Sequence, residues 1–327
     1  MSLSGKFEQF MRKHVYFTPY YSRKAGLCSD EPEIYNSSGE RMRVFFISDR
    51  EFAHTPYWPG MTQPRYVLWD RYNFGLKTHF YSHYEAFNTV GKPERKFAVL
   101  IESRSVSPKS YRKFLREKNF IQNEFDRVFT YDDEILSALS NAEFVPFCAG
   151  YWYGKIDGTA TLSPENYSRK TRNISILSSD KNSTPLHRLR KNLARICRDN
   201  NLADTYGTFD GGKYVTPEST LRDYRYSIII ENDITPYFFT EKITNCFAAQ
   251  TIPIYLGATR INDFFDGDGI IAITEKDAGN IAEILRQCTE AEYMRRLPAV
   301  RENFRRVKEY ESPCDYMYLR YVKEICG

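Results

Sequence analysis

An acid and an amide end a buried apolar run in the second half of the chain, and another acid and a lysine follow shortly afterwards. In RYSIIIENDITPYFFTEKITNCF, Glu231 and Asn232 follow the apolar run, and Glu241 and Lys242 follow Thr240. Consecutive isoleucines predict a strand buried on both faces, as in a parallel sheet. Ligands of such sheets gather at the carboxyl ends of the strands, so we expect a polar ligand site here.

Lys242 falls in the first turn of the next predicted helix, for which Thr240 is the expected N-cap. A cation in that turn opposes the helix dipole by roughly 0.3–1 kcal/mol. A bound pyrophosphate would make this position favourable for the lysine, because the lysine and the backbone N–H groups at the helix start would both bind the same anion. An exposed first turn that tolerates its charges explains the same residues equally well.

Thr-Glu-Lys occurs a second time, at residues 274–276. There Asp277 stands at the N3 position, so a capping box explains the sequence without a ligand. In the first copy the N3 residue is Ile243, which cannot complete such a box. The second copy is therefore an internal control, and we assign a function to the first copy alone.

Strand-like and helix-like segments alternate around these residues, which predicts two doubly wound parallel α/β units. We expect strands at 43–48, 97–103, 127–131, 173–179, 204–207, 226–231, 251–257 and 269–273, and a short strand and turn at 143–154. Helices are expected at 107–119, 132–139, 183–200, 216–224, 240–250 and 275–288. Residues 81–87 are expected to form a helix or loop. The predicted units are 1–155 and 173–300, with a linker at 156–172 and a C-terminal helix at 301–327 that packs back on the first unit.

Length, composition and charge limit the classes of function that this chain can have. A chain of 327 residues suits two domains, and a net charge of +4 suits an anionic ligand but is too small to indicate a nucleic-acid surface. The seven cysteines form no C-x-x-C pair, which argues against disulfides and zinc and favours the reducing cytoplasm. No apolar run is long enough to span a membrane. The basic, aromatic residues 6–13 predict either a solvated helix or a peripheral contact with a membrane surface.

Residues 224–270 resemble the C-terminal signature of the α1,3/4-fucosyltransferases of glycosyltransferase family 10. The matching stretches are YRY, IEND, FFTEK, TIPIYLG and DFF, with the spacing that the family shows between its Glu-Asn and Glu-Lys pairs. The resemblance implies a GT-B fold, in which two Rossmann-like domains face each other across a cleft. It also implies GDP-L-fucose as donor and inversion at the anomeric carbon without an obligatory metal or other cofactor. The soluble bacterial members are the most similar.

Two upstream stretches extend the resemblance. SSDKNSTPLHRLRKNL resembles the segment that delivers an arginine to the donor; we align that arginine with Arg190, with Arg188 as the alternative. VLIESRSVSP resembles the strand end that carries the catalytic base, which makes Glu102 its counterpart. Each residue also has a plainer explanation: Glu102 caps the loop before Pro108, and Arg190 is one charge on a solvated helix face.

The resemblance assigns a role to each residue of the opening stretch. Lys242 and Arg190 would clamp the pyrophosphate, and Glu241 would bind the fucose hydroxyls or stabilise the oxocarbenium-like sugar. Asn232 would reach the ribose or the base, and Glu231 would orient the neighbouring loop.

The sequence departs from the family at three positions. Asp233 replaces the usual Ser, Phe238 stands where the family has Tyr, and Leu256 stands where many bacterial members have Trp. Either the adjacent Tyr237 supplies the missing hydroxyl, or Phe238 only stacks against the donor.

Several alternatives stay open at this point. The fold and reaction are compatible with another GDP-sugar donor, and a catalytically inactive nucleotide-sugar-binding protein would keep the same motifs. The acceptor is expected to be an oligosaccharide or glycolipid of the surface-polysaccharide or lipopolysaccharide type. The aromatic stretch 51–60 is expected either to line the acceptor cleft or to form a packed surface loop. The acidic residues at 132–134 are explained by an ordinary helix start, where acids are common, rather than by a metal site.

Overall fold

The N-terminal half of the protein is built on a parallel sheet. The computed structural model describes residues 27–49 and 62–326. The first sheet has seven strands: β1 (Ile34–Tyr35), β2 (Arg41–Ser48), β3 (Val67–Asp70), β4 (Thr78–Ser82), β5 (Arg95–Val99), β6 (Arg127–Thr130) and β7 (Ala142–Phe144). Their order is β1-β2-β4-β5-β6-β7, with β3 also paired to β2, and only the β1–β2 pair is antiparallel.

A second sheet forms the C-terminal half. Its five strands are β8 (Arg172–Leu177), β9 (Asp204–Tyr206), β10 (Tyr224–Ile230), β11 (Ile252–Leu256) and β12 (Ile271–Ala272). All pairs are parallel, in the order β12-β11-β10-β8-β9. The direction of winding reverses between β8 and β10. The carboxyl ends of these two strands therefore form the topological switch point, where ligands of doubly wound sheets bind.

Helices connect the strands. They are α1 (Pro108–Arg116), α2 (Lys118–Glu124), α3 (Asp133–Ala138), α4 (Pro185–Asp199), α5 (Pro217–Leu221), α6 (Glu241–Ala249), α7 (Ile281–Gln287), α8 (Glu290–Arg295), α9 (Leu297–Arg306), α10 (Pro313–Met317) and α11 (Lys323–Cys326). Short 3₁₀ segments, including His83–Phe87, join them. No helix within the described ranges has the length and apolar character that crossing a membrane requires.

The consecutive isoleucines of β10 point alternately into two cores. Ile228 and Ile230 pack with α4 on one face, and Ile229 packs with α6 on the other. All three are buried. The sequence prediction of a strand covered on both faces is therefore confirmed. Full burial of each side chain contributes about 1.5–3 kcal/mol, so this strand is a firm base for the residues that follow it.

Helix α6 also holds the chain where it crosses from the first sheet to the second. The side-chain oxygen of Asn245 accepts hydrogen bonds from the backbone N–H groups of Trp152 (2.6 Å) and Tyr153 (2.8 Å). Tyr151 and Tyr153 lie in the same core as Ile229. The start of the crossover is thus packed against the C-terminal sheet, immediately before the segment predicted as the linker.

The structure corrects two predictions. Residues 78–82 form the buried strand β4, so the helix or loop predicted for 81–87 is wrong for 81–82 but confirmed for 83–87, which form a 3₁₀ helix. The C-terminal helix predicted over 301–327 is broken, because Ser312 caps a new helix that begins at Pro313. Beyond that break, Met317 and Val322 lie in the core of the first sheet. The predictions for residues 6–13 and 51–60 lie outside the described residues.

Candidate active site

Glu231 follows β10 directly and is fully buried. Its carboxylate accepts hydrogen bonds from the N–H (2.9 Å) and hydroxyl (2.8 Å) of Thr240. Burial raises the pKa of Glu231, and the charge of Lys242 opposes this increase. Thr240 is the N-cap of α6, as the sequence predicts. The Thr240 N–H is therefore bound by the protein's own carboxylate. Binding of a phosphate by the other N–H groups of this helix start stays a prediction.

Lys242 lies between two carboxylates. Its Nζ is 2.9 Å from the Thr240 hydroxyl, 3.3 Å from Glu231 Oε2 and 3.4 Å from Glu241 Oε1. Burial by itself would lower the pKa of Lys242, but the charges of Glu241 and Glu231 outweigh it and raise the pKa above its ordinary value. These carboxylates also offset the unfavourable dipole of the helix start. The surroundings of Lys242 therefore favour its charged ammonium form at the end of the strand.

Gly257 follows β11 at a point where no side chain fits. A Cβ atom there would lie 2.5 Å from Cγ of Glu231 and 2.4 Å from the hydroxyl oxygen of Tyr255. The Tyr255 hydroxyl is itself fixed, because it accepts a hydrogen bond from the N–H of Ala258 at 3.0 Å. The glycine that ends TIPIYLG thus allows Glu231 to approach the backbone of the neighbouring strand.

The structure separates the two arginine candidates on α4. Arg190 is buried, and its Nη1 donates to the carbonyl of Ile230, the last residue of β10, at 2.8 Å. Burial lowers the pKa of Arg190, and the charges of Glu231 and Glu241 oppose that effect. Arg188 is exposed and donates to the carbonyl of Asn182. Arg190 is thus the arginine that lies with the strand-end carboxylates.

Asn232 is held by a histidine that the sequence did not single out. His187 Nε2 lies 3.0 Å from Asn232 Oδ1, and His187 Nδ1 lies 3.0 Å from the hydroxyl of Ser183. Burial, followed by the charge of Arg190, lowers the pKa of His187. Contact with Oδ1 leaves the amide N–H₂ of Asn232 available to donate. The spacing of His187 and Arg190 on one helix face is the signal that could have identified this residue.

Glu102 comes from the other sheet, beyond the end of β5. Burial raises its pKa; the charge of Lys242 lowers the pKa, and that of Glu241 raises it. These interactions place Glu102 within electrostatic reach of the first turn of α6. A direct contact accompanies them: the N–H of Ser105 donates to Asp233 Oδ2 at 2.9 Å. The segments that follow β5 and β10 therefore meet, and the charges of Lys242 and Glu241 act on the pKa of Glu102.

The two aromatic candidates lie apart from this cluster. Phe238 is buried, with its ring 4.6 Å from that of Tyr131 in the core of the first sheet. The Tyr237 hydroxyl accepts a hydrogen bond from Arg260 at 2.8 Å, and the guanidinium also lies over the Tyr237 ring. The Tyr237 ring also lies 5.8 Å from that of Phe144 in β7, so both rings contact the N-terminal half of the molecule. A contact of either ring with the donor stays a prediction.

The acids at 132–134 have a structural role. Asp132 caps α3, and Arg104 donates to both of its carboxylate oxygens, at 2.9 and 2.6 Å. Glu134 pairs with the same arginine at 2.7 Å. Among residues 27–49 and 62–326, no group of three or more His, Cys, Asp or Glu side chains is arranged to hold a metal ion.

Comparisons with known proteins point to one family. The family model described as glycosyltransferase family 10 (fucosyltransferase), C-terminal part, matches residues 167–317. Among solved structures, the chain is similar to an α1,3-fucosyltransferase (14% identity over 78% of this chain and 80% of that chain, TM-score 0.46). It is also similar to an α1,3-fucosyltransferase with GDP-fucose (13% identity, 71% and 72%, TM-score 0.41).

A third structure is the pneumococcal O-GlcNAc transferase GtfA in complex with UDP and GlcNAc (11% identity, 77% of this chain and 57% of that chain, TM-score 0.50). No sequence among the curated proteins gives a significant match. At such low identity, structural likeness establishes the fold alone. Together with the two parallel sheets, it confirms the predicted GT-B architecture.

Proposed function

Because the family model of glycosyltransferase family 10 matches residues 167–317, we propose that this chain belongs to that family and is an inverting fucosyltransferase. It would move L-fucose from GDP-fucose to a hydroxyl of a glycan acceptor, with Glu102 as the base. One observation carries the proposal: the segment that follows β5 and bears Glu102 meets the segment that follows β10, because the N–H of Ser105 donates to Asp233 Oδ2 at 2.9 Å. The charges of Lys242 and Glu241 accordingly act on the pKa of Glu102.

The chemistry follows from this arrangement. The acceptor hydroxyl gives its proton to Glu102 while its oxygen bonds to the anomeric carbon of fucose. The bond from that carbon to the β-phosphate oxygen breaks, and its electron pair leaves on GDP. Attack on the face opposite the leaving group inverts the anomeric configuration. Burial supports this role of Glu102, because a raised pKa makes the carboxylate a stronger base.

The cations of the C-terminal sheet suit the leaving group. Lys242 and Arg190 would stabilise the negative charge that grows on the diphosphate. Glu241 would turn towards the fucose, and the amide of Asn232, oriented by His187, would donate to the nucleoside. Glu231 would keep Lys242 in place through their 3.3 Å contact. No metal is required in this scheme, because these side chains supply the positive charge.

Calorimetric titration tests the donor site. We expect the protein to bind GDP and GDP-fucose in the presence of EDTA, and to bind GDP-mannose and UDP more weakly. Loss of a charge-assisted contact in Lys242→Ala should weaken GDP binding by about 10- to 100-fold. Lys276→Ala, in the second Thr-Glu-Lys, is the matched control and should bind like the wild type. Equal GDP affinity in both variants would overturn the proposed diphosphate site.

Turnover tests the base. We expect Glu102→Gln to keep its affinity for GDP while transfer falls by about 10²- to 10⁴-fold. A wild-type protein that binds GDP-fucose but shows no transfer to any acceptor would support the alternative of an inactive nucleotide-sugar-binding protein. Preferential turnover of GDP-mannose would replace fucose as the donor sugar.

We propose that the acceptor is an oligosaccharide or glycolipid precursor of a surface polysaccharide or lipopolysaccharide, and that the reaction takes place in the cytoplasm. The seven free cysteines support a reducing compartment. Transfer of labelled fucose to lipid-linked and soluble glycans, followed by separation of the two fractions, tests the acceptor class, and fractionation of cells that contain the protein tests the compartment. Labelling confined to protein or free sugars would contradict the glycolipid assignment.

A further inference from the structure

A buried histidine contacts the backbone that carries Glu102. His83 follows β4, the strand next to β5, and is fully buried. Its Nε2 accepts hydrogen bonds from two consecutive N–H groups, those of Ile101 at 2.9 Å and Glu102 at 3.1 Å. These N–H groups lie beyond the end of β5, where the ladder of the sheet has stopped. A side chain therefore replaces the missing strand partner.

The contacts define the protonation state of His83. A nitrogen that accepts two hydrogen bonds carries no proton, so the ring proton is on Nδ1, 3.2 Å from the hydroxyl of Ser110. Burial lowers the pKa of His83 to about 3, so the ring is neutral under working conditions. His83 also adopts a left-handed backbone (φ 44°). Such strain persists only where the surroundings enforce it, and it clusters at functional sites.

The peptide group on the other side of Glu102 is held as well. The Tyr111 hydroxyl lies 2.6 Å and the Tyr131 hydroxyl 2.9 Å from the carbonyl oxygen of Glu102. Both tyrosines are buried, and their hydroxyls are 3.0 Å apart. Tyr131 follows β6, so the ends of both strands adjacent to β5 contribute a contact. The backbone of Glu102 is thus fixed on both sides of its Cα.

We propose that His83 is a positioning residue for the transfer reaction: it fixes the backbone at Ile101 and Glu102 so that the Glu102 carboxylate meets the acceptor hydroxyl. This role rests on the proposed function of Glu102 as the base. His83 does not touch the substrate and transfers no proton. Its contribution is the geometry of the base, and a displacement of about 1 Å at a reacting group can cost about 10²-fold in rate.

Two variants of similar shape isolate this contribution. His83→Gln places an amide oxygen near the position of Nε2, and Gln250 shows that this chain accommodates glutamine in the left-handed region (φ 59°). His83→Met has a similar length and backbone preference but no strong acceptor. Both variants lose the contact with Ser110, so they differ mainly in the ability to accept from Ile101 and Glu102.

The readout is GDP release from GDP-fucose, with water or a glycan panel as acceptor, below the unfolding temperature of both variants. We expect kcat to fall about 10²-fold in His83→Met, with a displaced pH–rate profile and faster hydrogen exchange at Ile101 and Glu102. His83→Gln should keep most of the turnover. GDP affinity should match the wild type in both variants, because the proposed diphosphate site lies on the other sheet.

The outcomes separate the two proposals. Equal kcat and pH profile in the two folded variants, beside an active wild type, would overturn the positioning role and leave the proposed function intact. An inactive wild type, or an active one unaffected by Glu102→Gln, would overturn the proposed function, and the positioning role would fall with it.

Discussion

Thr-Glu-Lys occurs twice in this chain, and each copy begins a helical segment, yet the two have different environments. In the first copy, Thr240 is buried and Lys242 lies against the buried carboxylate of Glu231. In the second, residues 274–276 are exposed, and Asp277 completes a capping box with Thr274. The same three residues thus form a buried charge cluster in one place and a self-contained helix cap in the other.

The difference comes from the strand that precedes each copy. The first copy follows β10, which is central in its sheet and paired on both sides. The second follows β12, the edge strand. A central strand end is enclosed by its neighbours, so charges placed there must be paired within the protein or bind a ligand. At an edge, water solvates the same charges, and only local capping remains.

The largest effect on stability is expected from neutralising the carboxylate that binds the N-cap threonine of each copy. This carboxylate belongs to Glu231 in the first copy and to Asp277 in the second. Glu231→Gln leaves Lys242 beside a neutral amide and should reduce the free energy of unfolding by about 2–3 kcal/mol. This is less than the about 3–5 kcal/mol for breaking a fully buried pair, because the Lys242 side chain is still 22% exposed. Asp277→Asn should cost much less. Urea denaturation of both variants measures the difference, and equal losses would mean that the two copies are energetically alike.

A smaller effect is expected at the glycine near each copy. Gly257→Ala forces a methyl group against Glu231 and Tyr255 and should cost about 1–3 kcal/mol. Gly279→Ala meets no atom within 4 Å and should leave stability unchanged or slightly higher. Thermal unfolding compares them, and GDP titration should show weaker binding in Gly257→Ala alone. A Gly257→Ala variant as stable as the wild type would contradict the close packing at Glu231.

The sequence predicted the C-terminal half well because its signals are local. Consecutive isoleucines in β10, Thr240 at an N-cap and Asp277 in a capping box each need only a few neighbouring residues, and the structure confirms all three. The strand β4 was missed because THFYS carries polar residues, such as His79, that are buried here against expectation. Contacts inside the core, such as that of His79 Nδ1 with the Tyr81 hydroxyl at 2.7 Å, accommodate these polar residues, which a pattern of apolar residues does not indicate.

The non-local contacts of the site could not be predicted. The Glu231 carboxylate binds the N–H of Thr240 at the start of α6, nine residues further along the chain. The His83 ring binds the N–H of Glu102, nineteen residues further along. In both pairs the fold, and not the local sequence pattern, brings the two groups together. His83, the second histidine of THFYSHYEAF, has no spacing that links it to an acid nineteen residues away. Glu102 and Lys242 could be identified because the resemblance compares several motifs spread over the whole site. A single residue outside those motifs carries no such signal.

The last and smallest expected effect is a shift in pH dependence. Glu102, the proposed base, would act only when ionised, so kcat/KM should rise with pH through its pKa. Lys242 lowers that pKa and Glu241 raises it. Lys242→Met should therefore move the rising limb to higher pH, and Glu241→Gln should move it to lower pH. Lys276→Met and Glu275→Gln, at the edge strand, should leave it in place. If Lys242→Met and Lys276→Met gave the same profile, the first turn of α6 would exert no electrostatic control over Glu102, and the contrast between the two copies would be one of burial alone.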